Sequence, residues 1–241
     1  MISLIAAFQF LTIFPTLIKR MFTSREMGQS AGWFPLVGVT LGTLLYGVNY
    51  FAQMIFSASV SAALTIFAWV FFTRAFHLDG FMDTCDGLFG GFTPERRLEI
   101  MKDSRMGAFG VAGGALILLM EYTALASSSA LLPALVISAT LGRWVSPLVI
   151  YAFPYAREDG LGIEMKRNVG LMQVILATVI TFIVSWFVYG IMGLWLMLFA
   201  ALSAFLVALY ITRLIPGLTG DSYGAITTII EALVLLFFAM K

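Results

Sequence analysis

The run LMQVILATVITFIVSWFVYGIMGLWLMLFAALSAFLVALYITR, residues 171–213, has no charged side chain before Arg213. A helix needs about 20 apolar residues to cross the hydrocarbon core of a bilayer, so this run has the length of two crossings. Gly190 stands near its middle and separates residues 171–189 from residues 191–213. The run therefore predicts two consecutive transmembrane helices.

Five further apolar runs extend this pattern along the chain, at residues 34–56, 57–75, 108–126, 131–153 and 223–240. The composition agrees with them, because 61% of the residues are hydrophobic and 11% are charged, whereas soluble domains have about 25% charged residues. We expect an all-α fold, a polytopic transmembrane helical bundle of about seven spans that forms a single integral-membrane domain over residues 1–241. The composition excludes an ordinary soluble globule and a disordered chain.

The N-terminal apolar segment, residues 1–14, is too short to cross a bilayer. We expect a short helix that lies in the membrane interface or packs against the bundle, and that ends at Pro15.

Two GxxxG spacings, Gly38/Gly42 and Gly110/Gly114, permit close contacts between neighbouring helices. Glycine is also frequent in membrane helices without such a role. We favour this simpler interpretation slightly.

The basic residues indicate how the bundle is oriented. With seven spans, the loops at 76–107, 154–170 and 214–222 lie on the same side as residues 19–25. All fourteen Lys and Arg residues fall on that side except Arg143, inside a span, and Lys241, at the far end. The positive-inside rule then predicts that these loops face the cytoplasm of a multi-pass protein in the bacterial cytoplasmic (inner) membrane. The net charge of +1 does not indicate a nucleic-acid partner.

The acidic residues are concentrated in one of these loops. The segment HLDGFMDTCDGL, residues 77–88, contains Asp79, Asp83 and Asp86, which share one face of a helix because they are four and three residues apart. Three like charges on one face repel each other unless a cation lies among them. We therefore favour a site for Mg²⁺, a hard cation that prefers oxygen ligands, over a solvated acidic surface.

Basic residues follow these aspartates within residues 76–107, which we interpret as an Asp-rich active-site segment on the cytoplasmic side. Thr93 and Pro94 are typical of a helix start, with Thr93 as its N-cap. Carboxylates for a metal and basic side chains for phosphate oxygens together indicate phosphoryl transfer.

Three single residues complete the set of candidates, and a fourth, Cys85, is assigned no role. Arg143 lies within an apolar span, where a charge is costly, so we expect it to face the bundle and pair with a carboxylate. His77 is a candidate general base or a hydrogen-bonded structural residue. Asp221 precedes the last span and is a candidate N-cap of its helix. Cys85 is the sole cysteine, which excludes an internal disulfide and a multi-thiolate metal site.

Several motifs point to one family. The pattern HLDG-x-x-DT-x-DGL is followed by RRLEIM-x-DSR-x-G-x-FG at residues 96–110. Further matching stretches are FQFLT at 8–12, WFPLVG at 33–38, PYAR at 154–157 with GLG at 160–162, and TGD at 219–221. In these motifs the chain resembles the cobalamin synthase family, the adenosylcobinamide-GDP ribazoletransferases. Cys85 departs from the pattern, since a small residue such as alanine is usual there.

The resemblance implies the last assembly step of the cobalamin nucleotide loop. Adenosylcobinamide-GDP and α-ribazole, or its 5′-phosphate, would give adenosylcobalamin, or its 5′-phosphate, and GMP, with Mg²⁺ as the cofactor. The expected partners are these substrates and the lipid bilayer, and a homo-oligomer is compatible with the pattern.

The resemblance and the residue pattern together suggest roles for the candidates. Asp79, Asp83 and Asp86 would bind one or two Mg²⁺ ions, and Asp83 and Asp86 would take part directly in catalysis. Asp103 would be a further ligand or the base for the attacking hydroxyl, and His77 would orient a carboxylate or the nucleophile. The residues expected to bind substrate are Arg97, Lys102, Arg105, Arg143 and Asp221.

Two alternative functions are weaker. A CDP-alcohol phosphotransferase needs a second pair of aspartates after the D-x-x-D-G pattern, and Asp103 has no aspartate four residues before or after it. A cation-coupled transporter needs charges at mid-membrane in broken helices. Here the acids are concentrated at one boundary, and only Glu121, Arg143 and Glu231 lie deeper.

Overall fold

The computed structural model describes residues 1–240, apart from the side chain of Leu161. Lys241, which departs from the charge pattern, lies outside these residues. The described residues form helices joined by turns and loops, and they contain no β-strand. The helices are α1 (Ile2–Leu11), α2 (Ser24–Ser30), a 3₁₀ turn (Ala31–Trp33), α3 (Phe34–Gln53), α4 (Ala58–Phe72), α5 (Phe76–Gly90), α6 (Pro94–Ile100), α7 (Ala108–Ser127), α8 (Leu131–Ala152), α9 (Leu161–Asn168), α10 (Leu171–Thr212) and α11 (Gly220–Phe238).

Helix α10 is a helical hairpin. Tyr189 and Gly190 leave the helical conformation, and Gly190 has a φ of +58°, which glycine adopts without strain. The two arms then run back along each other, because a Cβ on Gly193 would lie only 2.1 Å from the carbonyl oxygen of Ser185. The predicted division at Gly190 is confirmed.

A sharp bend joins α4 to α5. The two helix axes differ by 88°, and the linking residues Arg74 and Ala75 have φ values of +53° and +55°. Residues other than glycine seldom adopt this conformation, since it costs about 1–2 kcal/mol per residue. The bend therefore turns the aspartate-bearing helix α5 across the direction of α4.

These features account for the number of spans. Among the described residues, five helices are long and apolar enough to cross a membrane, or six if the bent pair α4–α5 forms one span. This count takes α10 as one helix, and counting its two arms separately gives seven apolar segments at the positions of the seven predicted spans. The last of them, α11, begins at Gly220, three residues before the predicted start.

The N-terminal helix packs against the bundle. Ala6, Ala7 and Leu11 are buried, and α1 ends at Leu11, before Pro15. The Arg74 guanidinium donates hydrogen bonds to the last carbonyl groups of α1, those of Gln9 (3.2 Å) and Phe10 (2.9 Å). Arg74 thus anchors α1 to the bend.

The GxxxG glycines lie at helix crossings, contrary to our slight preference for no specific role. A Cβ on Gly38 or Gly42 would lie 2.4 or 2.6 Å from a carbonyl oxygen of α8. A Cβ on Gly110 or Gly114 would likewise collide with side chains of α5. Both pairs therefore permit close backbone approach.

We predict that Gly42→Ala destabilises the protein by about 1–3 kcal/mol, because the new methyl group overpacks the crossing between α3 and α8. The measurement is the unfolding midpoint in detergent micelles. Gly47→Ala is the matched control on the same helix, since a Cβ there has no atom within 4 Å. Equal midpoints for the two variants would contradict the proposed crossing.

Candidate active site

The charged loops meet around one cavity of about 440 Å³ at one end of the bundle. Residues from distant parts of the chain line it, among them Phe10, Phe34, Asp79, Arg157 and Asp221. The charge pattern predicts that these loops share one side of the membrane, and the structure brings them together at one end.

Helices α5 and α11 cross at glycines beneath this cavity. A Cβ on Gly80 would lie 2.8 Å from the carbonyl oxygen of Asp221, and one on Gly224 would lie 3.1 Å from that of His77. Both positions thus require a residue without a large side chain. Because Asp79 and Asp221 adjoin this crossing, both carboxylates line the same cavity.

Arg157 neutralises part of this negative charge. Its Nη2 atom lies 2.8 Å from Oδ2 of Asp221, and both side chains are largely buried. The loop that carries Arg157 is held by two backbone hydrogen bonds, from Ala156 N to Leu218 O and from Leu218 N to Pro154 O, each 2.8 Å. These bonds hold the segment before Arg157 against the segment before Asp221, and so keep the two side chains within contact.

The candidate role of Asp221 as the N-cap of α11 is wrong. Thr219 is the N-cap, and its hydroxyl accepts a hydrogen bond from Ser222 N. Asp221 lies in the first turn of the helix instead, where its carboxylate is free to pair with Arg157. The expected role of Asp221 in binding substrate is compatible with this position in the cavity.

Asp83 lies half-buried, one helical turn after Asp79. Asp83 is not among the residues that line the cavity, although the charges of Asp79 and Asp221 act on its carboxylate. Within residues 1–240, no three His, Cys, Asp or Glu side chains are grouped so as to hold a metal ion by themselves. Mg²⁺ commonly takes only one or two carboxylates, with substrate phosphates and waters as its other ligands. The carboxylates of Asp79 and Asp221, which face one cavity, fit this requirement.

Asp86 points to a different place from Asp79. Its carboxylate accepts hydrogen bonds from Gly107 N (2.7 Å) and Gly110 N (2.8 Å), at the N-terminus of α7. A Cβ on either glycine would lie within 2.4 Å of a carboxylate oxygen. Asp86 is thus a cap of α7 supplied by α5, and it is not among the residues that line the cavity. The predicted grouping of Asp86 with Asp79 and Asp83 around one ion is not formed.

His77 lies between two cavities. It is buried, it lines the large cavity beside Asp79, and it also lines a small internal cavity of about 20 Å³. Its Nδ1 atom has no hydrogen-bond partner among the described residues. This position suits a residue that orients groups in the site.

Of the basic residues in the active-site segment, Lys102 lines the cavity, and its Nζ lies 3.6 Å from Asp159 Oδ1. Arg97 instead donates hydrogen bonds to the carbonyl groups of Gly91 and Leu214. It joins α6 to the end of α10, so the structure does not place it at a substrate.

Asp103 and Arg105 form an exposed ion pair with an N–O distance of 2.6 Å, outside the cavity. The Arg105 guanidinium lowers the pKa of Asp103 to about 2. A carboxylate with so low a pKa is a weak general base at neutral pH. The structure therefore does not bring the predicted base, or the predicted phosphate ligand Arg105, to the site.

The N-cap Thr93 is confirmed, since its hydroxyl accepts a hydrogen bond from Arg96 N.

Arg143 is enclosed in the bundle. Its side chain is 1% exposed and forms an ion pair with Glu231 of α11, so the expected carboxylate partner is confirmed. Arg143 lines the small cavity and not the large one, so the structure places it in a bundle contact and does not bring it to a ligand in the large cavity. Glu121 of α7 and His77 line the small cavity next to this pair. Four helices thus meet at one buried charged cluster.

Comparison with known proteins agrees with this arrangement of motifs. The family described as cobalamin-5-phosphate synthase matches residues 3–239. The chain belongs to this family. An adenosylcobinamide-GDP ribazoletransferase of Desulforamulus reducens is 37% identical over 241 residues, 99% of this chain and 96% of the relative. One of Desulfitobacterium hafniense is 38% identical over 95% of this chain and 93% of the relative. No solved structure matches the chain significantly.

The family motifs of this cobalamin-5-phosphate synthase family member converge on the large cavity. When the aspartate stretch and the RRLEIM stretch that follows it are counted as one motif, each of the five motifs contributes a lining residue: Phe10, Phe34, Asp79, Arg157 and Asp221. The membership does not favour a CDP-alcohol phosphotransferase or a transporter. It agrees with the resemblance found in the sequence.

Several residues of the cavity were not predicted as functional. Arg157 and Tyr155 belong to the PYAR stretch, which in the sequence indicated only the family. A basic residue in a loop rich in glycine and proline was the available signal for Arg157. Tyr223 had no such signal, yet it lines the cavity, and its buried hydroxyl has no partner among the described residues.

We predict that Asp86→Ala lowers the free energy of unfolding by about 1–2 kcal/mol, because two amide groups of α7 lose their acceptor. Asp79→Ala is the control, since no hydrogen bond to its side chain occurs within the described residues. Chemical denaturation in detergent measures both. An Asp86 variant as stable as the Asp79 variant would show that the cap does not stabilise α7.

Removal of one member of the buried ion pair between Arg143 and Glu231 should lower the free energy of unfolding more than Asp86→Ala does. Glu231→Leu leaves the Arg143 charge without its partner, so we expect a loss of about 3–5 kcal/mol. The double variant Arg143→Met with Glu231→Leu should be more stable than Glu231→Leu alone. If the two substitutions were simply additive in denaturation experiments, the pair would not be coupled.

Proposed function

We propose that the chain is a membrane-bound adenosylcobinamide-GDP ribazoletransferase. It joins adenosylcobinamide-GDP to α-ribazole, or to α-ribazole 5′-phosphate, and releases GMP. The observation that carries this proposal is the convergence of all five family motifs on one cavity with carboxylate and basic side chains. Relatives named for this activity, which align over nearly their whole length, support it.

The reaction exchanges one phosphorus–oxygen bond for another. A hydroxyl oxygen of the ribazole bonds to the phosphorus atom linked to cobinamide. The bond from this phosphorus to the bridging oxygen of the diphosphate breaks, and GMP leaves with that oxygen. The hydroxyl proton passes to a basic group of the site. The protein's task is to align the two substrates and to offset negative charge on the diphosphate.

The acidic residues of the cavity would hold Mg²⁺ together with the diphosphate. Asp79 and Asp221 line the cavity. Asp83 lies one helical turn further along α5 and does not line the cavity, but its carboxylate would add negative charge beside the ion. When bound, Mg²⁺ would offset the negative charge of the diphosphate. Asp86, with both oxygens bound by α7, supports this site by positioning the helix that carries the other carboxylates.

The basic residues of the cavity would bind phosphate oxygens. Lys102 is only loosely paired with Asp159 at 3.6 Å, so its ammonium group is available to a ligand. Arg157 spans from its ion pair with Asp221 to the cavity wall, and its Nε has no partner among the described residues. A diphosphate beside Asp221 would therefore meet a guanidinium that is already oriented.

The orientation follows from the charges. The multi-pass bundle would lie in the bacterial inner membrane with its large cavity facing the cytoplasm, because the basic loops surround that cavity. This placement would give the site access to a substrate that carries a nucleotide.

The proposed activity can be tested with purified protein in liposomes. Adenosylcobinamide-GDP, α-ribazole and Mg²⁺ should give equal amounts of GMP and cobalamin product, and chelation of Mg²⁺ should stop the reaction. Asp79→Asn and Asp83→Asn should each lower kcat/KM by at least about 100-fold, the typical effect of losing charge stabilisation in a transition state.

Glu99→Gln is the matched control, because this exposed carboxylate on α6 pairs only with Arg96 in the described structure. It should retain the activity of the unmodified protein. Failure of the unmodified protein to form either product would refute the proposed function. Normal activity of both aspartate variants would refute the assigned site alone.

A further inference from the structure

The wall of the large cavity contains a contiguous aromatic group, which we call the aromatic wall: Phe10, Phe34 and Phe76. The Phe10 ring stacks on Phe34, with centroids 6.1 Å apart and planes inclined by 25°. It meets Phe76 edge to face, with centroids 4.9 Å apart. The three rings come from α1, α3 and α5, so only the folded chain assembles them.

The aromatic wall adjoins the acidic part of the cavity. Phe76 and Asp79 are three residues apart on α5, and such residues are neighbours on a helix surface, with Cβ atoms about 5–6 Å apart. A ligand with an aromatic portion on the wall would thus present its next portion to Asp79. A nucleoside has this shape, since its sugar hydroxyl groups follow directly after the base.

The position of Phe10 is fixed from outside the cavity. Arg74 binds the carbonyl groups of Gln9 and Phe10, and Ile13 N donates a hydrogen bond to Phe72 O at 2.8 Å. The short helix α1 is therefore tied to the end of α4 on both sides of Leu11. An anchored ring loses little conformational freedom when a ligand stacks on it.

We propose that the aromatic wall is the subsite for the base of the acceptor nucleoside, with the sugar directed towards Asp79 and Asp221. This proposal rests on the proposed function and names the part of the cavity that selects the acceptor. The chemical class of the ligand is a bicyclic aromatic base without exocyclic hydrogen-bonding groups, as in α-ribazole.

The surroundings of the wall discriminate between the aromatic groups of the two substrates. Leu11, Ile150 and Met165 line the cavity together with the three rings. Guanine has a carbonyl, a ring N–H and an amino group, and none of these can form a hydrogen bond with the apolar side chains of the wall, which is costly for a buried polar group. Partners for them would have to come from the polar residues elsewhere in the cavity, such as His77 and Tyr223. The base of α-ribazole carries methyl groups, one ring-nitrogen acceptor and no exocyclic hydrogen-bonding group, so burial against this wall is less costly for it than for guanine.

The size of the cavity agrees with the acceptor as occupant. A volume of about 440 Å³ is in the range of sites that enclose small molecules, roughly 300–1,000 Å³. The cobinamide portion of the donor, a macrocycle with several amide side chains, is far larger and more polar than a nucleoside. It would remain at the mouth of the cavity, and only its diphosphate would reach the acidic residues.

The test compares Phe10→Leu and Phe76→Leu with the unmodified protein in liposomes. Each substitution keeps the wall apolar but removes a ring face, and Phe76 is 42% exposed, so its replacement is readily tolerated by the fold. Loss of stacking should raise KM for α-ribazole about tenfold. KM for adenosylcobinamide-GDP should change less than about twofold, and kcat should be retained, because neither ring contacts the reacting phosphate.

A second acceptor makes the readout specific to the base. The corresponding nucleoside with adenine as its base carries an amino group that the wall cannot satisfy. The unmodified protein should prefer α-ribazole, and both variants should reduce that preference. Phe8→Leu is the matched control on α1: Phe8 stacks on Phe14 and is not among the residues that line the cavity, so it should leave both KM values unchanged.

The outcomes separate this proposal from its alternatives. An unchanged KM for α-ribazole in both variants would overturn it, as would an equal rise in KM for both substrates. An equal loss with both acceptors would indicate a generic apolar contact, such as a lipid chain, and would also overturn it. If the unmodified protein released no GMP with either acceptor, the proposed function itself would fail.

Discussion

At Gly80 and Gly224 the backbones of α5 and α11 approach each other with no side chain between them. The acidic part of the large cavity depends on this crossing, because the crossing brings together Asp79 and Asp221, which are far apart in sequence. Two carboxylates this close repel each other, and Arg157 offsets part of that repulsion through its ion pair with Asp221. The arginine in turn depends on the backbone hydrogen bonds that tie its loop to the start of α11. The close packing of α5 on α11 thus requires the ion pair between Arg157 and Asp221, which offsets the repulsion that the packing creates.

The bend between α4 and α5 sets the direction of the helix that carries the three aspartates. A straight continuation of α4 would carry the aspartates onward in the direction of the span. The turn of 88° at Arg74 and Ala75 directs α5 towards α7 and α11 instead. One aspartate then satisfies the amide groups at the start of α7, which have no intrahelical acceptor. The cost of two left-handed residues is offset by these contacts.

The spans could be predicted from the sequence more completely than the roles of the candidate residues. The hairpin of α10 could be predicted because Gly190 interrupts an apolar run of twice the needed length. The same spacing argument placed Asp79, Asp83 and Asp86 on one face of a helix, but it could not separate their roles. Asp86 finds its partners 21 and 24 residues further along the chain, and no local pattern announces such a contact. The pairing of Arg157 with Asp221, 64 residues apart, could not be predicted for the same reason.

The sequence by itself determined the membrane class, the approximate spans, the side on which the charged loops gather and the family. Each of these is a property of composition or of residues close together in the chain, since the length of an apolar run decides whether it can cross a bilayer. Only the tertiary structure decided which charged residues face the cavity and which are enclosed. The partner of a buried charge is set by the packing of distant helices, because the cost of an unpaired charge is relieved only by a group that the fold brings within contact. Arg143 therefore belongs to the interior with Glu231, and Arg157 belongs to the site with Asp221.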